Sequence, residues 1–470
     1  MLDLTTTTGA ALPVRDPATG ETFAHVPDDG PAEASAAVGA AGDAFAGWAA
    51  RPHAERAALL RECAAALRPH AGDLARLLTR EQGKPLAQAA AEVGLAVDWF
   101  DLTADLTLDP EIVEDGPVHV TVGRMPHGPV AAIAPNNFPV ILAVTKVAPA
   151  LLAGNTVVLK PSPVTPLTTR YLGEILGGVL PAGVLTVLTG GPALGPALTA
   201  DPRILLVSFT GSVETGRAIA AAVAPRLARV VLELGGNDAC VVLPGADLDA
   251  VAPAVYAAAM RNTGQFCAAI KRVYAHREQA SALAGALAEL AAKAVVGDGL
   301  DPASELGPLT VPAQRDTVAR MVAQASAAGA RVLTGGAALD RPGSFYAPTV
   351  VGDLPPGTEL ELEEQFGPVI PVIAVDGVEE AVRRANGTRY GLGGSVWGDP
   401  DEARAVAGRL ECGTAWVNTH GELRADVPFG GHRSSGLGVE YGYWGLLEYT
   451  RITVCHERRT PGSSAAAPAG

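Results

Sequence analysis

The sequence predicts an α/β protein of two or three domains built on doubly wound parallel sheets. Three observations predict it. At 470 residues the chain is too long for a single core. Short apolar runs alternate with helical segments, the pattern of parallel strands covered on both faces. Glycine-rich turns join strands to helices at 190–195 and 211–216, where a doubly wound sheet carries an anion site.

The elements follow in order. Residues 31–107 read as helices, because "ERAALLRECAAALRPHAGDLARLL" repeats apolar residues at helical spacing with charges on the other face. "VHVTVGRMPHGPVAAIAP", residues 118–135, alternates like strand and is punctuated by turns. Then come "NTVVLKPS" as a strand, 166–180 as a helix, "VLTVLTG" as a strand and a short helix. "ILLVSFTG" is a strand, a helix starts at Ser212, and "RVVLEL" is a strand. A second alternation starts near Gly236: "DACVVL", a helix over 247–263, "RVYAH", and helices over 277–293 and 311–328. Strands in "FGPVIPVIAV", "LGGSVWG" and "GTAWVN" complete it. The tail 460–470, small and polar, is expected to be flexible.

Composition narrows the function. A hydrophobic content of 48% suits a well-buried enzyme and excludes a disordered chain. A net charge of −15 argues against a nucleic-acid partner, while leaving room for a local basic pocket. No apolar run is long enough to span a membrane, and the first residues lack a signal-peptide pattern, so a cytoplasmic protein is expected. The five cysteines are scattered and form no CxxC pair. That suits a reducing compartment and leaves no metal site expected. One of them is a candidate nucleophile; the others read as small core residues.

Several motifs carry chemistry. "SFTGSVETGR" sets Gly211 and Ser212 between an apolar strand and a helix containing Gly216; free N–H groups and the helix dipole favour an anion there. A plain strand-to-helix turn would look the same, but "TGGPALG", with Gly191 and Gly195, is a second such turn, and two point to a dinucleotide. Lys160 ends a buried strand, within reach of ribose hydroxyls or a phosphate unless it is simply solvated. Cys267 stands among small residues after Gly264, which permits an unusual backbone turn. It is either a thiolate nucleophile or a structural thiol. Glu233, beside Gly235 and Gly236, is either a strand-end carboxylate or a mobile general base. Asn137 lies between two prolines and offers a stiffly held amide for an oxyanion, or merely serves its turn.

Together these pieces resemble the NAD(P)-dependent aldehyde dehydrogenase superfamily. "PNNFP", "VVLKPS", "FTGSVETG", "LELGGND", "NTGQFC", "EEQFGPV", "GTAWVN" and "VPFGGHRSSGLG" occur in the family's order and spacing, over about residues 13–456. The resemblance implies the aldehyde dehydrogenase fold. Its Rossmann-like cofactor domain is expected at 1–107 and 127–235, its α/β catalytic domain at 236–440, and its β oligomerisation arm at 108–126 and 449–458. A homodimer or homotetramer follows from the arm. The resemblance also implies Cys267 as nucleophile, Glu233 as the base that hydrolyses the thioester, Asn137 as oxyanion amide and Lys146 as a nearby proton relay. The nicotinamide end of the cofactor falls to Glu364 and Phe366, the adenosine end to Lys160. Ile133, Pro135, Asn136, Ser162, Pro163, Gly191, Gly195, Phe209, Gly211, Ser212, Gly216, Leu234 and Gly235 complete the cofactor site. Phe138, Thr145, Phe266, Ala268, Leu423 and Phe429 are expected to line the aldehyde pocket.

Two departures from the family pattern bear on the cofactor. Asn136 replaces the usual Trp and makes that wall more polar. Pro163 stands where a Glu often accepts both adenosine-ribose hydroxyls, so NAD is expected with NADP tolerated. Thr145 replaces a bulkier aromatic, which widens the expected tunnel. Arg424 is a candidate for an acidic substrate, or a solvated loop residue. Two rivals remain. An acylating dehydrogenase would pass the thioester to coenzyme A, but that branch typically lacks the acid at position 233. A catalytically idle cofactor-binding protein would not need the Cys–Glu–Asn set.

Overall fold

The computed structural model describes residues 10–459; the expected flexible tail, 460–470, lies outside the described residues. Two parallel-rich sheets organise the chain. The first has six strands in the spatial order Gly436–Leu437, Arg229–Glu233, Leu206–Thr210, Pro129–Ile133, Thr156–Lys160, Leu185–Val187. All neighbours run parallel except Gly436–Leu437, which is antiparallel. Strand order reverses between Pro129–Ile133 and Leu206–Thr210. A crevice opens beyond the carboxyl ends of strands at such a switch point. It falls here at Ala134–Asn136 and Gly211–Ser212.

The second sheet has seven strands in the order Arg331–Thr334, Thr349–Gly352, Val369–Val375, Ile270–His276, Asp238–Val242, Gly393–Trp397, Thr414–Val417. Only Arg331–Thr334 is antiparallel. The central strands of both sheets are buried residue by residue, which is why they read as unbroken apolar runs. The chain leaves the first sheet at Glu233 and enters the second at Asp238. The "LGGN" link therefore joins the carboxyl edge of one sheet to the amino edge of the other. Cys267 sits just before Ile270–His276, at that same amino edge.

The helix Pro139–Leu152 is buried at every position. A helix apolar all round belongs in a core, and its lysine and threonine therefore stand out. Helices His53–Leu67, Ala71–Gln82 and Leu86–Ala104 cover this flank, while Pro31–Ala49 packs mainly on the other face of the first sheet. Residues 111–115, 118–126 and 450–458 form a separate three-stranded antiparallel sheet with 118–126 in the middle. Among the described residues no helix is long and apolar enough to cross a membrane.

The structure differs from the sequence reading in several places, among them strands Arg331–Thr334 and Thr349–Gly352 and helices Val378–Ala385, Pro400–Ala407 and Gly442–Glu448, which that reading did not contain. An N-terminal hairpin, Ala11–Arg15 with Thr22–Pro27, escaped notice because its strands are short. The helix expected over 247–263 ends at Met260; Asn262, Thr263 and Gly264 turn left-handed, at φ 52°, 57° and 74°. The strand in "VLTVLTG" is only Leu185–Val187. Gly436–Leu437, inside the stretch assigned to the second domain, pairs with Leu232–Glu233 of the first sheet. Contact across the seam, invisible to periodicity, recruits that pair.

Candidate active site

Two cavities meet at one sulfur. The first is an apolar tunnel of about 80 Å³ lined by Leu95, Trp99, Phe138, Ile141, Leu142, Thr210, Glu233, Arg261, Phe266, Cys267, Leu423, Phe429, Glu440 and Tyr441. The second, about 520 Å³, runs along the crevice of the first sheet and includes Asn136, Asn137, Gly211, Leu234, Gly235, Glu364 and Phe366. Cys267 lines both. A third cavity of about 690 Å³ continues the crevice past Ile133, Pro135, Lys160, Ser162, Pro163, Gly191, Gly195 and Phe209.

The Cys267 turn is held by strain and close packing. Thr263 is β-branched and left-handed, a conformation costing about 1–2 kcal/mol. Asn262 Nδ2 donates to the carbonyls of Asn137 and Gln265 at 2.9 and 3.2 Å, and Thr263 Oγ1 donates to Gly307 O at 3.1 Å. These bonds over-determine the turn, so the strain persists. At Gly264 a Cβ would lie 2.2 Å from Gly367 O, so glycine is required twice over.

Asn137 projects from the turn before the Pro139–Leu152 helix. Its Nδ2 donates one hydrogen to Gln265 O at 3.1 Å, which fixes the amide plane and leaves the second hydrogen free. Lys84 Nζ supports the turn from behind, donating to Asn137 O at 2.8 Å, and pairs with Glu92 Oε2. Glu92 Oε1 accepts from the N–H groups of Val140 and Ile141, the exposed donors of that helix start. The Cys267 N–H has no acceptor among the described residues.

Glu233 is buried, and neither carboxylate oxygen has a partner among the described residues. Behind it Lys146 Nζ bonds Glu440 and donates to Thr210 Oγ1 at 2.7 Å. Burial, and then the Glu440 charge, push the Glu233 carboxyl well above its ordinary range; Lys146 pulls it partly back. Burial pushes the Cys267 thiol up to about 12, against the pull of Lys271.

Gly235 and Gly236, expected from sequence to let the acid move, also admit close neighbours. Neither is left-handed. A Cβ at Gly235 would lie 2.3 Å from Glu364 Oε2, and one at Gly236 2.5 Å from Cys267 O. The pair allows close approach, drawing the nucleotide-side carboxylate and the thiol loop onto the link between sheets.

Three expected site residues lie elsewhere. Gly216 is buried, and its missing side chain admits Leu234: a Cβ would lie 2.5 Å from Leu234 Cδ2. Thr145 is wholly buried and bonds back to Leu142 O at 3.3 Å, leaving the tunnel wall to Ile141 and Leu142 a turn earlier. Ala268 is buried behind the thiol, its carbonyl held by His420 Nε2 at 3.0 Å. Arg424 is exposed and pairs with Asp426, away from the tunnel.

Others were missed. Trp99 and Leu95 come from Leu86–Ala104, a helix whose periodicity looked like packing alone. Tyr441 stacks on Phe429 at 5.8 Å and meets Trp99 edge-on at 4.9 Å. Together they form an aromatic side of the tunnel. Arg261 spreads its guanidinium near Phe266 and Phe138, 5.1 and 5.7 Å from the ring centres. The charged residues flanking "NTGQFC" were the available signal for Arg261 and Lys271.

The dinucleotide-type crevice fits its expected guest. Lys160 is buried at a strand end, its Nζ bonded only to Pro161 O at 3.2 Å, so two donors remain for a ligand. Ser212 caps the helix Val213–Val223 beside bare Gly211, leaving N–H groups for a pyrophosphate.

Comparison with known proteins agrees with this geometry. The aldehyde dehydrogenase family pattern matches residues 4–455. A betaine aldehyde dehydrogenase of Cereibacter sphaeroides is 38% identical over 95% of this chain and 93% of its own. An Escherichia coli succinate-semialdehyde dehydrogenase [NADP(+)] is 37% identical over 94% of each. The crystal structure of Staphylococcus aureus betaine aldehyde dehydrogenase in complex with NAD+ superposes with a TM-score of 0.93 at 30% identity, covering 97% of this chain and 92% of that one. The chain belongs to the aldehyde dehydrogenase family and is an oxidoreductase acting on aldehydes.

Proposed function

We propose that the protein oxidises an aldehyde to a carboxylic acid with NAD or NADP, through a covalent thioester on Cys267 that water cleaves with Glu233 as base. One observation carries this reading: Cys267 is shared by an apolar tunnel containing Glu233 and by a crevice of nucleotide dimensions.

Cys267 Sγ attacks the aldehyde carbon, and the oxygen takes the negative charge. The free Cys267 N–H and the second Asn137 Nδ2 hydrogen hold that oxygen. A bound nicotinamide supplies the hydride acceptor for the resulting thiohemiacetal. Glu233 then removes a proton from the water that attacks the thioester. Burial raises its affinity for protons above that of an ordinary carboxylate, which strengthens it as a base, and Lys146 and Glu440 give the proton an exit behind it. Glu364 and Phe366 hold the nicotinamide end, and Lys160 and Ser162 the adenosine end. No carboxylate lines the adenosine cavity, which supports NADP as well as NAD.

The three-stranded arm is proposed to dock on a second copy, giving a dimer or tetramer. Its Ile112, Val113 and Ile452 are each about 60% exposed, and its outer strands have unpaired edges. Five free cysteines, the nucleophile among them, suit a reducing cytoplasm.

The test follows NADH or NADPH at 340 nm over a panel of aldehydes. Cys267→Ala is expected to remove turnover and keep cofactor binding. Turnover that requires added coenzyme A would replace hydrolysis with acyl transfer. Activity surviving in Cys267→Ala would end this reading.

A further inference from the structure

Lys271 is buried to 2% side-chain exposure in the strand that follows the thiol loop. Its Nζ donates to Phe266 O and to Cys267 O, both at 2.7 Å, and lies 3.3 Å from Glu364 Oε1. Glu364 Oε1 also accepts from Gly236 N at 3.3 Å. One ammonium thus uses its three hydrogens on the two peptide carbonyls flanking the Cys267 Cα and on a carboxylate of the cofactor crevice.

The first contact matters most. The Phe266 carbonyl and the Cys267 N–H belong to one peptide unit. A cation on the carbonyl pulls electron density from the nitrogen, and hydrogen bonds linked this way strengthen one another. It also fixes the orientation of the plane. The same carbonyl accepts from Ala269 N at 3.1 Å, which completes its coordination. The second contact fixes the next peptide plane, so the backbone on both sides of the nucleophile is clamped.

We propose that Lys271 is a positioning residue: through its bond to Phe266 O it orients and polarises the Cys267 N–H as an oxyanion donor, and it ties that peptide to Glu364 in the cofactor crevice. The inference rests on the reading of Cys267 as nucleophile. The ammonium also faces the thiol environment. Of the charged or titratable groups acting on Cys267, Glu364, Glu233 and Asp238 oppose the thiolate, and Tyr441 does so when ionised; Lys271 and Arg261 favour it. Lys271 also anchors the loop, so removing it withdraws charge and geometry together.

The experiment compares Lys271→Met, Lys271→Gln and Lys271→Arg with the full-length protein. Two readouts are needed: the pre-steady-state burst of reduced cofactor, and the pH dependence of thiol alkylation by iodoacetamide. Met and Gln are expected to slow the burst about 10–100-fold, less than or comparable to deleting an oxyanion donor. Both should move the alkylation profile to higher pH, while aldehyde KM changes little. Arg is expected to recover most of the burst rate. The Gln variant keeps a donor of similar reach and guards against a folding failure in Met. A wild-type burst and alkylation profile in Gln or Met would overturn the proposal, as would equal losses in Arg and Met. Cys267→Ala separates the two ideas: if it is inactive while the Lys271 variants behave like wild type, only the role of Lys271 falls.

Discussion

Lys84 and Glu92 form an ion pair 2.5 Å apart with essentially no exposure, and each holds one end of the turn that presents Asn137. Lys84 secures the Asn137 carbonyl, and Glu92 caps the helix beginning two residues later. Burial pulls the Lys84 ammonium down and the Glu92 charge restores it, so neither partner is tolerable alone. Glu92→Gln is expected to destabilise the fold by about 3 kcal/mol. It should also lower kcat, because the amide loses its support. Denaturant unfolding and steady-state kinetics on the same preparation test both; unchanged stability would show that the pair is dispensable.

Glu233 yields a kinetic prediction. Glu233→Gln should release one equivalent of reduced cofactor and then stall, with the acyl group left on Cys267. In the wild type, deacylation should weaken as pH falls through the raised Glu233 value, above the ordinary carboxylate range. Sustained turnover in Glu233→Gln would assign deacylation to another base.

The same carboxyl makes a stability prediction of definite sign. Its folded value is raised, so the native state holds the proton more tightly than the unfolded chain does. That contribution favours folding below the ordinary carboxylate value and is lost as pH rises towards the folded value. Glu233→Gln, which cannot ionise, should therefore melt higher than wild type at pH 8. The gap should narrow towards pH 4. Thermal melts across that range decide it.

The adenosine cavity makes a fourth prediction. Among the described residues Lys160 is the one cation and no acid lines it. Pro163→Glu should cut kcat/KM for NADP about 10–100-fold through repulsion of the 2′-phosphate, and leave NAD within a few-fold. An equal effect on both cofactors would mean that residue 163 does not face the ribose.

Arg261 makes the fifth. Among the described residues it is the sole cation lining the tunnel, which also contains two buried acids, Glu233 and Glu440. Aldehydes with a distal carboxylate are expected to be preferred over neutral ones of equal length. Arg261→Gln should remove about 10–100-fold of that preference, the worth of a hydrogen bond to a charged group. A neutral-to-acidic ratio unchanged in the variant would place recognition elsewhere.

The sequence by itself determined most of the parallel strands, the longer helices and the family, because β-rich apolar runs and glycine turns are local properties of the chain. It also singled out Cys267, Glu233 and Asn137, whose short motifs carry their own backbone chemistry. Only the tertiary structure decided what surrounds them. Trp99, Arg261 and Tyr441 come from separate segments to build the tunnel, and Thr145 drops out because its helix turns it into the core. The Gly235–Gly236 pair looked like a hinge in sequence. The fold makes it a point of contact, since only folding brings Glu364 and the Cys267 carbonyl to within a missing side chain of it. Local pattern records what each segment prefers; which side chains converge is settled by packing between segments far apart in the chain.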